Sequence, residues 1–390
     1  MRVLFAVSMQ PSHFYPMVPL AWALRADGHD VRVAHPPAMT AAVLASGLTS
    51  VPVGGNPVIT DEMRSRLPGQ GGASGTGDQS HNIRENLRFF RGVAELMAQD
   101  LAAVARSWAP EMIVFDWQCY AAAAVGAQLG IPTVRFLFGP DFAAGAEGWR
   151  AAELQVFGDL LDRLGAGPEA IDGTACVDVC PPLIQFGGGR PHVVPARYVP
   201  YNGAGGVEEW MTVPRTRPRV AITLGGTYSW VTGDMSPLVA VAAAMAGSGV
   251  ELVAAVPAHS RHLGPPPSDG LVVVEDMPLA LILQSCDAIL HHGGDGTMAT
   301  SLVAGVPQIV SPSRFVGFAS YHSAARIVSS GAGAALQVDA ADPADVRKLI
   351  ESVLGDETRA AAAQRLRAAE LERPSPVDAA RELMSRVGVS

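Results

Sequence analysis

The segment AILHHGGDGTMATSLVAGVPQIVSP, residues 288–312, holds the residue types best suited to chemistry in this 390-residue chain. An apolar run ends at His291 and His292, then Gly293, Gly294 and Gly296 turn the chain, and a helical pattern opens near Thr297. Backbone without side chains lets amides approach an anion closely, and the start of a helix adds partial positive charge, so the turn suits a diphosphate. The Thr297 hydroxyl and the His292 imidazole supply two further donors. Donors held against a departing diphosphate lower the barrier to breaking its bond to a sugar. A structural glycine turn beneath a helix accounts for the glycines taken alone, but less well for the whole string. LGGTY (224–228) closes another apolar run and offers Gly225, Gly226 and Thr227 to the same kind of group; a plain strand-to-helix turn explains it almost as well.

Transfer of a group from a diphosphate to a hydroxyl would also need a general base, because a hydroxyl is too weak an acid to attack carbon unaided, and histidine is suited to that work near neutral pH. His13 stands in a loop after the first apolar run, RVLFAV (2–7), at the carboxyl edge where open parallel sheets bind ligands. A surface histidine is the competing reading. No Asp-x-Asp occurs in the chain, so a metal bridging a diphosphate has no support, and the expected cofactor is none. Cys119, Cys176, Cys180 and Cys286 lack zinc spacing and read as thiols of a reducing compartment.

Such groups need rigid elements to hold them. The chain's length exceeds what one core usually serves and predicts two domains. Hydrophobic residues reach 48% against 17% charged with few aromatics, which fits helices packed on parallel sheets. A net charge of −9 argues against a nucleic-acid partner. In the first half RVLFAV is followed by an amphipathic helix from Pro19 to Ala26 that stops at Gly28. Then come VRVAHP (31–36), helical patterns at Ala41 to Ser46 and Glu85 to Trp108, MIVF (112–115), a helix at Ala121 to Leu129, and TVRFLF (133–138). The most membrane-like stretch, Met112 to Phe138, is broken by Asp116, Pro132 and Arg135, so it reads as strand, helix, strand and no membrane is expected. The first residues lack the features of a signal peptide, which predicts a cytoplasmic protein. GQGGASGTGDQS (69–80) is almost without apolar residues and predicts a mobile loop. VPARYVPYNGAGG (194–206) predicts the linker, dividing the chain into 1–200, 201–373 and a helix at 374–390 that returns to the first domain. VAITL (220–224), Pro237 to Ala246, ELVAAV, LVVVE, Leu279 to Cys286, AILHH, Thr297 to Ala304 and PQIVSP repeat the pattern. The expected fold class is α/β, with two facing, doubly wound, Rossmann-like parallel sheets that share one active site in a cleft.

HHGGDGT followed by GVPQ resembles the donor-binding motif of family 1 GT-B glycosyltransferases, in particular the bacterial enzymes that decorate macrolides, anthracyclines and related polyketides. PSHFYPMVPLAWALRADGHDV (11–31) resembles their N-terminal signature, SWAPEMIVFD (107–116) their fourth-strand region, FLFGPD (136–141) their W-G-P-D-like loop and YVPYNG (198–203) their linker. The resemblance spans nearly the whole chain. It implies transfer of a sugar from a nucleotide diphosphate donor to a hydroxyl of a hydrophobic acceptor. His13 then takes the base position, and Asp116 is the carboxylate that orients it and stabilises its imidazolium; a helix N-cap is the alternative role of Asp116. Asp141 falls near acceptor or sugar, or else caps the segment after it. Donor contacts fall on Gly225, Gly226, Thr227, Met277, His292, Gly293, Gly294, Asp295, Gly296 and Thr297. The acceptor pocket is expected among Phe14, Phe89, Phe90, Trp117, Phe138 and Phe142, any one of which could equally be core.

Three departures from the family pattern bear on the donor. EDMPL (275–279) puts Asp276 where an aromatic residue often stacks on the base, leaving that contact to Met277 and its backbone. The Asp-Gln pair that holds sugar hydroxyls is missing from SPSRFVGFASYHSAARI (311–327), where Ala319, Ser320 or their neighbours stand. Its loss suits a deoxysugar, because a buried polar pair facing a deoxy carbon would stay unsatisfied, and the resemblance implies that thymidine diphosphate carries it. Asp295 sits inside the phosphate turn, where an amino sugar would give it a partner. Competing readings are a C-glycosyltransferase acting on an aromatic polyketide, an epimerase or hydrolase of the same fold, and a non-catalytic bilobal helper that binds nucleotide sugars. A nicotinamide-dependent dehydrogenase is disfavoured, since VSMQPSH has no G-x-G-x-x-G. A homodimer and an accessory activator protein stay open on the residues alone.

Overall fold

A computed structural model describes residues 1–58, 60, 79–146, 148–186, 192–312 and 318–387, with backbone only for 79–82, 318 and 319. The apolar runs of the first half become strands of one seven-stranded sheet: β1 (Arg2–Ala6), β2 (Asp30–His35), β3 (Thr49–Pro52), β4 (Met112–Asp116), β5 (Thr133–Leu137), β6 (Ala175–Asp178) and β7 (Val193–Pro195). Those of the second half form a six-stranded sheet from β8 (Arg219–Thr223), β9 (Glu251–Val256), β10 (Leu271–Glu275), β11 (Ala288–His291), β12 (Gln308–Val310) and β13 (Gly333–Ala335). Every pairing between these strands is parallel. Parallel strands need a crossover on a face of the sheet, so the central ones are covered on both sides. Accordingly β4, β5, β8 and β11 are buried at every residue.

The spatial orders are β3-β2-β1-β4-β5-β6-β7 and β10-β9-β8-β11-β12-β13. Each sheet reverses its winding once, between β1 and β4 in the first and between β8 and β11 in the second. The connections leave such a switch point toward opposite faces, which opens a crevice beyond the carboxyl ends of the two strands. There Ala6 of β1 pairs with Phe115 of β4, and Thr223 of β8 with His291 of β11. The two turns singled out in the second half, LGGTY and HHGGDGT, therefore leave neighbouring strands.

The chain divides into two compact units. The first comprises Met1–Cys180, Gln185–Arg197 and Arg373–Ser390, and the second Pro181–Ile184 with Tyr198–Glu372. Within the first unit, the helix Pro376–Val387 packs against the helix Val18–Ala26 and on β6 and β7, with Ala379 and Leu383 fully enclosed. Within the second, Ala254, Ile222, Leu290, Ile309 and Leu238 anchor a core between its sheet and the helices Ser236–Met245 and Pro343–Leu354.

Several local expectations need correction. The first residues of the expected linker, Val194 and Pro195, belong to β7, which pairs with β6; a three-residue strand is too short to show a period. Neither β6 nor the helix Trp149–Arg163 stood out in the sequence. Met112 to Phe138 folds as β4, the helix Tyr120–Leu129 and β5. Among the described residues no helix is long and apolar enough to cross a membrane. The expected mobile loop, up to the start of the helix Gln79–Trp108, lies outside the described residues.

Candidate active site

At the switch point of the first sheet, β1 leads into Ser8 and then a short helical turn, Pro11–Phe14, that carries His13. His13 is thus on a helical turn and not in an irregular loop; Pro11 at its start favours that turn. Asp116 ends β4, so the strand pairing brings together residues far apart in sequence. His13 Nδ1 lies 3.2 Å from Asp116 Oδ1, and the imidazole is 14% exposed while the carboxylate is fully buried. The other oxygen, Oδ2, accepts from the Ser8 amide at 2.7 Å and the Ser8 hydroxyl at 2.6 Å, while Oδ1 also accepts the Gln118 amide at 2.9 Å. Burial alone would raise the pKa of Asp116, but the charge and hydrogen bond of His13, with those from Ser8 and Gln118, hold it below the ordinary carboxylate range. Asp116 therefore stays ionised and accepts a hydrogen bond from Nδ1–H of His13, leaving Nε2 with a free lone pair. The alternative N-cap role does not apply, because the next helix, Tyr120–Leu129, is capped at Cys119.

Aromatic residues surround this dyad and extend along the carboxyl edge of β4 and β5. Phe138 and Phe90 lie 5.1 Å and 6.1 Å from the His13 ring, and Phe89 meets Phe90 edge-on at 5.5 Å. Trp117 stacks on Phe142 at 5.6 Å, and Phe142 on Trp149 at 4.9 Å with Phe186 across its edge. Phe14 is fully enclosed and takes the core role left open for it. Trp149 and Phe186 were not singled out from the sequence, since nothing local links them to the dyad. Asp141 is buried and caps the turn Phe142–Gly145 by accepting from the Ala144 amide. Its own amide donates to Gln185 Oε1 at 2.6 Å, and Gln185 Nε2 donates to Asp178 Oδ2 at 3.0 Å. Burial pushes the pKa of Asp178 up to about 6.

In the second unit the helix Asp295–Ala304 begins two residues before the expected Thr297, with extended Gly294 as its N-cap. Its first rung runs from the Met298 amide to the Gly294 carbonyl, so the Gly296 and Thr297 amides precede the helical ladder, where anions bind. Two amides offered to a diphosphate on sequence grounds are engaged inside the protein instead. The Gly293 amide donates to His291 Nδ1 at 3.1 Å, and the Gly225 amide to Thr223 Oγ1 at the same distance. Gly293 is required for other reasons: its φ is +88°, and a Cβ would stand 2.8 Å from that of the buried Ser320. Ala319, the other residue expected in place of the Asp-Gln pair, has no described side chain. Asp295 occupies the first turn of the helix, where partial positive charge stabilises a carboxylate without any ligand.

Both histidines are held neutral. His291 accepts from Gly293 through Nδ1, so its Nε2–H donates to Gln308 Oε1 at 3.0 Å; burial takes its pKa down to about 4. Burial, with His291 adjacent, takes His292 to about 3. Nδ1 of His292 is buried without a hydrogen-bond partner in the protein. Its ring is confined by glycines, since a Cβ on Gly225 would stand 2.7 Å from Cε1 and one on Gly294 2.8 Å from Nε2. Tyr228 lies 6.0 Å away. Gly226 and Thr227 form the first turn of the helix Gly225–Thr232. Asp276 has φ +46°, a left-handed position that aspartate tolerates better than a bulky ring, and accepts from the Ala258 amide at 3.1 Å. Met277, next to it, packs on the core below β10 and β11.

Two parallel α/β sheets, each with its polar turns at the switch point, define a GT-B glycosyltransferase. Residues 22–225 match the family description "Erythromycin biosynthesis protein CIII-like, N-terminal domain", and residues 240–385 its C-terminal domain. Aklavinone 7-beta-L-rhodosaminyltransferase of Streptomyces galilaeus is 34% identical, over 96% of this chain and 93% of that protein. 10-deoxymethynolide desosaminyltransferase of Streptomyces venezuelae is 33% identical, over 98% and 96%. Among solved structures, spinosyn rhamnosyltransferase SpnG superposes with a TM-score of 0.84 at 29% identity, covering 98% of this chain and all of that one. It has also been solved with thymidine diphosphate and with the spinosyn aglycone. The chain belongs to the erythromycin biosynthesis protein CIII-like family of glycosyltransferases.

Proposed function

We propose that this enzyme transfers a deoxysugar from a thymidine diphosphate donor to a hydroxyl of a polyketide-type aglycone, with His13 as general base and Asp116 as the carboxylate that orients it. The observation that carries this reading is the buried, ionised Asp116 holding the Nδ1 proton of His13, which leaves Nε2 as the only ring atom able to take a proton. His13 Nε2 accepts the acceptor's proton as its oxygen attacks the anomeric carbon, and the bond from that carbon to the diphosphate breaks. Asp116 stabilises the resulting imidazolium. Charge on the leaving diphosphate is received by first-turn amides of the helix Asp295–Ala304 and by an N–H of His292. Because His292 is neutral, it contributes a hydrogen bond and not a cation. The donor class is supported by the relatives and the solved structure named above, a rhodosaminyltransferase, a desosaminyltransferase and a rhamnosyltransferase solved with thymidine diphosphate, and by the missing Asp-Gln pair. A base aimed at a hydroxyl favours O- over C-transfer.

The test is mass-spectrometric screening of thymidine diphosphate deoxysugars against macrolide and anthracycline aglycones, with thymidine diphosphate binding read first as a rise in melting temperature. We expect acceptor-dependent transfer, and a fall in kcat of about 10²–10⁴ for His13→Ala with the thymidine diphosphate shift retained. Full transfer by His13→Ala refutes the base assignment. Donor hydrolysis indifferent to any aglycone would point to the hydrolase reading instead.

A further inference from the structure

The indole of Trp149 is 7% exposed, and its Nε1–H is buried without a hydrogen-bond partner. Such a donor costs free energy in the free protein, so buried indole N–H groups ordinarily find an acceptor. The rings around it do not substitute for one. Trp149 and Phe142 stack at 28°, which turns the indole edge, where the N–H lies, away from the Phe142 face. Trp117 is tilted at 47° with its centroid 6.0 Å away.

The wall that carries this donor is braced from behind. Glu153, one turn along the helix Trp149–Arg163, is fully buried and accepts the Tyr120 hydroxyl at 2.8 Å and Arg150 Nη1 at 3.3 Å. Arg135 of β5, also fully buried, places its guanidinium 3.9 Å from Glu153 and 5.9 Å from the Trp117 ring centre. Buried charges of this kind fix an arrangement strongly, because moving either partner leaves the other uncompensated. Trp117 directly follows Asp116, the carboxylate of the dyad. An orphan donor therefore sits in an aromatic cluster that is enclosed in the free protein and begins at the residue after Asp116.

We propose that Trp149 selects the acceptor: its Nε1–H donates to a carbonyl or ether oxygen of an aglycone whose apolar ring lies along Trp117, Phe142 and Trp149. This rests on the proposed function, in which the first unit receives the aglycone. Acceptors lacking such an oxygen lose this contact, and the unpaired indole discriminates against them.

The experiment compares the native enzyme with Trp149→Phe, which keeps an aromatic ring and removes the N–H. With an aglycone that the native enzyme glycosylates, the substitution raises the acceptor KM about tenfold, as loss of one buried hydrogen bond does, and leaves kcat and the donor KM unchanged. In the absence of ligand it melts at the same or a higher temperature, because an unsatisfied donor has gone. On the native chain, ¹⁵N–¹H spectra resolve the six tryptophan indoles, and adding that aglycone moves one of them downfield. This measurement stands even if the variant does not fold. Native turnover with an unchanged acceptor KM in Trp149→Phe, or with no indole resonance moved, overturns the role of Trp149 alone. No turnover of any aglycone by the native enzyme overturns the proposed function itself.

Discussion

Asp116 collects four donors on two oxygens while fully buried, and that concentration is what makes it more than a strand-end residue. Asp116→Asn retains the volume but removes the charge that fixes the His13 tautomer. It should lower kcat by about 10³ or more with little change in thymidine diphosphate binding. Ser8→Ala removes only one of the four hydrogen bonds. A milder loss of activity is expected, with a stability cost of about 1.5–3 kcal/mol, the range for a hydrogen bond to a charged group, read from denaturant midpoints. If the Ser8 variant is as impaired as the Asp116 variant, the carboxylate is not the centre of the arrangement. His13 and Asp116 were singled out in the sequence by their match to the family's motifs, beside their places after apolar runs. Ser8 and Gln118 were not, because their contacts depend on β1 lying beside β4, a pairing across about a hundred residues that no local pattern reports.

Among the elements, the turn after β8 exists to make room for the turn after β11. Gly225 combines a φ of +69° with a Cβ position that His292 already fills. Gly225→Ala should displace that imidazole and strain the backbone, costing about 1–3 kcal/mol of stability in the second unit. It should also reduce or abolish the melting shift produced by thymidine diphosphate. An undiminished shift would separate His292 from the donor site. The long buried runs were easily read as strands, whereas β7 and β13 span three residues each and escape any periodicity. Asp295 looked out of place in a glycine turn until the helix start moved back to include it. A carboxylate that seems to oppose a phosphate site is ordinary in the first turn of a helix.

For the whole molecule, neutral His291 and His292 make stability depend on pH in a known direction. Their folded pKa values, about 4 and about 3, lie below the ordinary value of 6.5, so the unfolded chain binds more protons as the pH drops below that value. Their contribution to stability is thus fully present above about pH 6.5 and is lost as the pH falls toward these folded values, by about 1.4 kcal/mol per pH unit for each histidine. His292→Asn should flatten the stability curve of the second unit by that amount between about pH 6 and pH 5; identical slopes would mean that the imidazole titrates normally. The division into two α/β halves was legible from the lapse in periodicity near residue 200 and from the repeat of the α/β pattern after it. That Pro181–Ile184 groups with the second unit was not, since it follows from bonds to Leu183 and Ile184 made by Arg326 and His322 far along the chain.

The interleaving of the two units governs how halves of related enzymes can be recombined. A chimera that exchanges the second unit has to be spliced twice, after Arg197 and again after Glu372, so that the helix Pro376–Val387 remains with its native host. The incoming half must also bring side chains able to grip the carbonyls of residues 183 and 184, which the recipient supplies. A graft joined at a single seam would strand that helix on a foreign partner and leave Leu383 without the pocket it fills.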